Sequence, residues 1–438
     1  MKKLIGTVAV AALLASAAFA ELSVSSWLRQ VWSPVAYNGD DVMTGMQNSW
    51  GGGRTAGFGL KWVGDDEKAG MEISFVYDPW GRDAYKVTLD DDGDGTVSKN
   101  DDPVSYGDAA ANALINTDGN RLIWVKPWDF LKLSFGHWDG INDIQSVNTA
   151  SWDWIRPWNW LGNLYCENQA TGALFEITPV DDLMIRVGLP FVNPDLSYHM
   201  FEALTVDVEY TITDLLGIKV GWRGGAYGHN RLTGIDPDDV YKTYKYDGSY
   251  VNVGEIDVLL QLLAVENLQL DVGARINLLN GSKLKDVFDE DDLFDEDDNF
   301  VGGGVASSLI GIKAGYAIND KFTVKADFAI QTWKKIAELK HKPDFAFGVG
   351  VGVALTDSLS LDADFRAKLN GDYDYDGVSF DGGDPTFSFL VGLQYACSTN
   401  ASVGIGFQGL TNGGKFGPLS KNGDNFGFAV PIRMSVNF

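Results

Sequence analysis

The segment 90–101, with the sequence DDDGDGTVSKND, holds the best-spaced candidate metal ligands in the chain. Calcium is bound by several oxygen atoms at once, and alternate carboxylates around a glycine turn supply them. The residues at the ligand positions of such a loop are Asp90, Asp92, Asp94, Thr96, Ser98 and Asp101. The last position is Asp rather than the usual Glu, and no flanking helix is evident. The sequence predicts a calcium site that orders a loop, with a merely solvated acidic loop as the alternative.

A second candidate site is a tryptophan cluster within residues 139–171. Its members are Trp152, Trp154, Trp158 and Trp160, with Asp153 and Arg156 between them. Indole rings with polar neighbours can stack on sugar rings, and the same rings can pack a loop against a protein wall. The sequence leaves both interpretations open.

Catalytic chemistry finds little support in this chain. The histidines, His137, His199, His229 and His341, show no metal-ligand spacing. Neither a nucleophile motif nor a phosphate-binding glycine loop is found. A formal net charge of −26 argues against nucleic acid as a partner. We therefore expect a protein that is not an enzyme and requires no cofactor.

The elements that would position these groups are strands, because apolar and polar residues alternate with a period of two. The clearest example is 268–277, where Leu, Leu, Val, Ala and Ile alternate with Gln, Asp, Gly, Arg and Asn. Connections between such segments alternate between short turns and long loops such as 38–53 and 79–120. About eighteen strands are predicted, or sixteen if the weakly patterned segments 121–126 and 183–189 are not strands.

The two ends of the chain carry further signals. Residues 1–20 combine a short basic start, an apolar run and a small-x-small pattern before Glu21, which predicts a secretory signal peptide. Residues 21–438 would then form one domain. Within 425–438 every second residue from Phe428 to Phe438 is apolar, which is typical of a strand with one apolar face.

That last stretch, together with the alternating loop lengths, resembles the bacterial outer-membrane β-barrels of the porin family, whose chains end in Phe after alternating apolar residues. The resemblance implies an all-β fold, a transmembrane antiparallel β-barrel with short periplasmic turns and long extracellular loops. It implies that the barrel-assembly machinery reads Phe438, that a lipid bilayer covers the outer face and that homotrimers form. The third external loop of such porins enters the lumen, which would make the tryptophan cluster a constriction.

In such a barrel the apolar strand faces meet lipid, and the mixed faces line a wet lumen. Charges of both signs occupy the mixed faces, and a dry core could not hold so many of them unpaired. The predicted pore-lining residues are Lys132, Arg186, Lys219, Arg223, Asp271, Arg275, Lys325, Asp327, Asp364, Arg366 and Arg433. Aromatic residues near strand ends, including Trp124 and Trp222, are expected at the lipid interface.

The combined prediction is a porin of the bacterial outer membrane through which small hydrophilic solutes diffuse passively. Its acidic loops predict a mild cation preference. One alternative is a substrate-specific carbohydrate channel that uses the tryptophan cluster. Another is a surface adhesin or structural barrel with a closed lumen.

Overall fold

The structure is a computed structural model of the chain. It describes residues 21–37, 42–47, 56–64, 66–77, 86–88, 103–105, 119–138, 170–190, 204–224, 245–246, 249–250, 254–278, 307–333, 340–375, 377–411, 415–416, 419–420 and 426–437. Within these residues, no helix has both the length and the apolar character needed to cross a membrane.

The described residues form strands throughout. In chain order they are β1 (Glu21–Tyr37), β2 (Val42–Gln47), β3 (Ala56–Val63), β4 (Ala69–Tyr77), β5 (Lys86–Thr88), β6 (Pro103–Ser105), β7 (Arg121–Trp128), β8 (Leu131–Trp138), β9 (Ala170–Val180), β10 (Leu183–Pro190), β11 (Thr205–Ile212), β12 (Leu216–Arg223), β13 (Lys245–Tyr246), β14 (Ser249–Tyr250), β15 (Glu255–Leu262), β16 (Leu268–Asn277), β17 (Ser307–Asn319), β18 (Phe322–Trp333), β19 (Lys340–His341), β20 (Asp344–Ala354), β21 (Leu359–Leu369), β22 (Tyr373–Tyr375), β23 (Val378–Phe380), β24 (Thr386–Ser398), β25 (Ala401–Leu410), β26 (Lys415–Phe416), β27 (Leu419–Ser420) and β28 (Gly427–Asn437).

A 19-stranded antiparallel sheet closes on itself into a barrel, because β1 pairs with β28 on one edge and with β2 and β3 on the other. Strand β2 pairs with residues 31–37 of β1, and β3 pairs with residues 21–28. The two segments therefore share one position in the barrel wall, and the barrel has eighteen positions. The prediction of an antiparallel barrel of eighteen strands is confirmed. The prediction of a loop throughout 38–53 is wrong, since β2 lies within it.

Alternation along each strand separates an outer from an inner face. In β20 the side chains of Phe345, Phe347 and Val349 are exposed on the outside, while Asp344 and Ala346 are buried on the inside. On the outer face rings from successive strands touch: the Phe407 centroid lies 5.8 Å from that of Phe389 and 5.6 Å from that of Phe428. An outer surface built in this way suits lipid, because acyl chains offer no hydrogen bonds.

The connections at one end of the barrel are tight turns. Asp182, Asp214 and Asn267 adopt left-handed backbone conformations there, with φ of 63°, 56° and 63°. Asn and Asp tolerate this conformation better than other residues with side chains. The weakly patterned segments are strands β7 and β10, each joined to a neighbouring strand by a two-residue turn.

Candidate functional site

The inner wall of the barrel is the candidate functional site, and strand register decides which of its side chains meet. Asp207 of β11 lies opposite Gly221 of β12, which lies opposite Asp257 of β15, which in turn lies opposite Arg275 of β16. Because inward-facing residues on antiparallel strands lie side by side, charges far apart in sequence form rows around the wall.

The densest group of charges spans β12, β15 and β16. Arg223 Nη2 donates a hydrogen bond to Asp257 Oδ2, and Arg223 Nη1 lies 3.5 Å from Glu255 Oε1. Arg275 Nε lies 4.0 Å from Glu255 Oε2. All four side chains are buried. A buried network of this kind is kept neutral by its internal pairs, so losing one member would leave a charge without compensation.

Two further groups continue the row towards β8. Lys132 Nζ lies 2.6 Å from Glu176 Oε2 across β8 and β9. Arg186 Nη2 donates to Glu209 Oε1, and Lys219 Nζ lies 3.8 Å from Glu209 Oε2. The arrangement repeats the same pattern, in which a cation on one strand meets an acid on the next.

Further contacts lie along the inward faces of β16, β21 and β28. Arg366 Nη1 lies 3.9 Å from Asp327 Oδ2, and Arg433 Nη1 donates a 2.7 Å hydrogen bond to Gln394 Oε1. Asp271 accepts a 2.6 Å hydrogen bond from Gln269 Nε2. The remaining predicted residues, Lys325 and Asp364, lie on the same inward face, each opposite Gly350 of β20.

Comparison with known proteins bears on what this barrel is. Residues 259–433 match the family model described as "Outer membrane protein beta-barrel domain". The later part of the barrel, from β15 into β28, is therefore similar to that family. A search of curated proteins found no matching sequence.

Several solved structures resemble this barrel at low identity. The anion-selective porin from Comamonas acidovorans is 11% identical, with a TM-score of 0.49, and the match covers 95% of this chain and 100% of that chain. The outer membrane channel DcaP of Acinetobacter baumannii is 11% identical, with a TM-score of 0.48, covering 96% and 98%. OmpT, an outer membrane protein of Vibrio cholerae, is 12% identical, with a TM-score of 0.45, covering 95% and 97%.

Glycines on the inner wall of the barrel make room for large neighbours. A Cβ atom on Gly57 would lie 2.3 Å from Nε1 of Trp27, and one on Gly348 would lie 2.8 Å from Oδ1 of Asp327. Both distances are shorter than the contacts that Cβ atoms make in proteins. The Trp27 and Asp327 side chains therefore occupy space that is open only because the adjacent strand has glycine there. The alternation of glycine and charge along β20 and β21 is the sequence counterpart of this packing.

Part of the inner wall is apolar, which the sequence interpretation missed. Leu122, Trp124, Trp138 and Leu174 pack together on the inward faces of β7, β8 and β9. The expectation that Trp124 lies at the lipid interface is wrong, because its indole is buried in this cluster. The sequence does not show which face of β7 points inward, because residues 122 and 124 on one face and Ile123 and Val125 on the other are all apolar.

The charges of the wall are also drier than expected. A water-filled lumen lined by solvated charges would leave them exposed, yet Arg366 is 2% exposed and Asp257 is 1% exposed. Each lies near a charge of the opposite sign, with Arg366 3.9 Å from Asp327 and Asp257 accepting a hydrogen bond from Arg223. Pairing between opposite charges reduces the electrostatic field that they produce inside the barrel.

The remaining predicted sites lie outside the described residues. They are the calcium ligands Asp90, Asp92, Asp94, Thr96, Ser98 and Asp101, the cluster Trp152, Asp153, Trp154, Arg156, Trp158 and Trp160, the signal peptide 1–20, and Phe438. Each of these stays a prediction. In the part of the chain that the structure describes, no group of three or more metal-binding side chains comes together.

Proposed function

We propose that this outer-membrane barrel is a porin, through which small hydrophilic solutes diffuse passively down their gradients. The observation that carries the proposal is the division of the wall, with ionisable side chains on the inward faces from β8 to β28 and apolar side chains outside. A polar path through an apolar layer lowers the cost of moving a hydrated solute across it.

A mild preference for cations follows from the charge of the chain, which is −26. Acidic groups near a pore raise the local concentration of cations, and salt screens this effect over about 10 Å at 0.1 M. The pairing of wall charges described above keeps the preference modest. We expect it to weaken as ionic strength rises.

Recordings of the purified protein in planar lipid bilayers test both parts of the proposal. We expect discrete conductance steps in KCl, and a reversal potential in a salt gradient that favours K⁺ over Cl⁻. A folded, heat-modifiable barrel that gives no conductance steps would refute the porin and favour an adhesin or structural barrel. Conductance with a reversal potential favouring Cl⁻ would leave the pore intact and refute the preference.

A further inference from the structure

A small sheet of three strands lies at the end of the barrel opposite the tight turns, and it joins two separate loops. Strand β19 belongs to the connection between β18 and β20, whereas β22 and β23 form a hairpin in the connection between β21 and β24. Lys340 and His341 of β19 pair with Asp374 and Tyr373 of β22, and β22 pairs with β23. We call these three strands the cap sheet. Its backbone pairing holds the two loops together.

One face of the cap sheet is aromatic. His341, Tyr373 and Phe380 lie side by side on it, with 6.0 Å between the first two ring centroids and 4.9 Å between the last two. Trp333, the last residue of β18, continues the row, since its ring centroid lies 4.7 Å from that of His341. Rings at such distances attract one another beyond the effect of the area that they bury. A row of four rings therefore attaches the cap sheet to the end of β18.

The attachment lies on the inner side of the barrel rim. Trp333 is on the same face of β18 as Asp327 and Gln331, which belong to the inner wall. Asp344 of β20, which pairs with Gln331, accepts a 2.7 Å hydrogen bond from the backbone N–H of Gly371. Both contacts hold the loops on the lumen side of the wall. The cap sheet therefore extends over the mouth of the barrel and not towards the lipid.

The two loops touch backbone to backbone beside the cap sheet. The N–H of Lys342 donates a 2.8 Å hydrogen bond to the carbonyl oxygen of Asp372. A Cβ atom on Gly371 would collide with the carbonyl oxygen of Lys342, and one on Gly382 would collide with the carbonyl oxygen of Gly371. Glycine is therefore required at both positions for the loops to approach this closely.

The other face of the cap sheet is charged and accessible to solvent. Lys342 forms an ion pair with Asp372, and the Ser379 hydroxyl donates a hydrogen bond to Asp374. The pKa of Lys342 is raised by its hydrogen bond to Asp372 and, less strongly, by the charges of Asp374 and Asp381. Acids outnumber lysines in these strands and the turn that follows β23; the described ones are Asp372, Asp374, Asp381, Asp384, Lys340 and Lys342.

An excess of negative charge is thus held in place where ions would enter the barrel. Fixed charges act on ions that pass within about 10 Å at 0.1 M salt. We propose that the cap sheet holds Asp374 and Asp381 over the mouth of the pore and that these two acids set its preference for cations. This inference rests on the proposed porin function. It assigns the preference to one ordered element instead of to the charge of the whole chain.

The position of the cap sheet is tested without any measurement of conduction. Lys340→Cys and Asp374→Cys are combined in a protein whose own cysteines are removed by Cys166→Ser and Cys397→Ser. Because residues 340 and 374 are direct cross-strand partners, we expect mild oxidation to join them by a disulfide. Lys340→Cys with Ser379→Cys is the matched control, since β22 lies between these two residues. The mobility of the denatured protein with and without reductant reports the cross-link.

The role of the two acids is tested by reversal potentials in a KCl gradient. We expect the variant Asp374→Asn/Asp381→Asn to lower the permeability ratio of K⁺ to Cl⁻ about two- to threefold. The control Asp357→Asn/Glu266→Gln removes two exposed acids from tight turns at the opposite end, and should change the ratio less than about half as much. Gly371→Ala keeps every charge and should lower the ratio by displacing the cap sheet. Heat-modifiable gel mobility verifies that each variant folds.

Cross-linking between residues 340 and 374, with a lower permeability ratio in Asp374→Asn/Asp381→Asn and in Gly371→Ala, supports the proposal. Failure to cross-link overturns the cap sheet. Conductance with an unchanged ratio in Asp374→Asn/Asp381→Asn overturns the role of the two acids and leaves the porin intact. Absence of conductance steps in the wild-type protein would refute the porin and the ion-selecting role together, whereas the cross-link decides the position of the cap sheet in either case.

Discussion

Two buried aspartates on the same inner face, Asp257 and Asp362, have opposite surroundings. Asp257 on β15 accepts a hydrogen bond from Arg223 of the neighbouring strand. Asp362 on β21 faces Gly352 of its neighbour, and its Oδ2 has no donor among the described residues. Both acids face a glycine on one neighbouring strand, Gly221 for Asp257 and Gly352 for Asp362, so the difference lies on the other side, where Asp257 meets Arg275 of β16 and Asp362 meets Gly392 of β24. Arg275 and the diagonal Arg223 make Asp257 part of the charged network, whereas Asp362 has glycines on both sides.

The largest effect that separates these two regions should come from Arg223→Met. This change leaves Glu255 and Asp257 buried beside each other with one cation fewer, and breaking a buried network in this way costs about 3–5 kcal/mol. Guanidinium unfolding in lipid vesicles measures the loss.

Lys61→Met serves as the control for Arg223→Met. The Lys61–Glu72 pair also lies on an inward face, at 3.1 Å, but Lys61 is exposed, so its loss should cost about 1 kcal/mol or less. If the two variants lost the same free energy of unfolding, burial would not explain how much each ion pair contributes to stability.

The glycines of the wall permit the same comparison between filled and open space. In Gly57→Ala the added methyl group collides with the Trp27 indole, and we expect destabilisation by about 1–3 kcal/mol. In Gly315→Ala the nearest atom is Gln269 Oε1 at 3.6 Å, an ordinary contact, so the change should stay within about 0.5 kcal/mol. Unfolding midpoints of the two variants decide the point, and a larger loss at Gly315 would contradict the packing described here.

The smallest effect belongs to a pair outside the wall, between Lys68 and Asp129 in neighbouring turns. A hydrogen bond from Lys68, and its positive charge, lower the pKa of Asp129 below its ordinary value of 3.8. A lowered pKa in the folded state stabilises the fold above the unfolded pKa, and this contribution is lost as pH falls through the lowered value. Lys68→Met should therefore lower the unfolding midpoint slightly at neutral pH and not at all in strong acid. If the difference in unfolding midpoint between the wild-type protein and Lys68→Met grew as pH fell, the proposed stabilisation of the Asp129 carboxylate would be contradicted.

The strands could be predicted from the sequence because their pattern is local. A period of two is visible within ten residues, as in β16, and the tight turns are marked by Asp and Asn. β2 could not be found in this way, since its sequence VMTGMQ has no clear alternation. It is a strand because β1 is long enough to pair with two segments along one edge.

The partners of the wall charges could not be predicted, because they depend on register between strands. Arg223 and Asp257 meet only because β12 and β15 pair as Gly221 with Asp257, and a shift by one residue would turn one of them to the lipid. Asp362 belonged to the charged inward face of its strand, but nothing in its own sequence neighbourhood shows that a glycine lies across from it. The surroundings of Asp362 are set by the strands on both sides of β21 and not by β21 alone.

The closure of the barrel through β1 has a consequence for its folding. β1 pairs with β28, and Leu28 meets Val436 from the opposite end of the described chain. Contacts between residues so distant in sequence carry a high loop-closure entropy and form slowly. Until they form, both strands present open hydrogen-bonding edges beside apolar faces, which invites association with other chains. We therefore expect the unclosed barrel to be the state most prone to aggregation. The yield of folded protein should depend on how well β1 is kept from pairing with other chains before it pairs with β28.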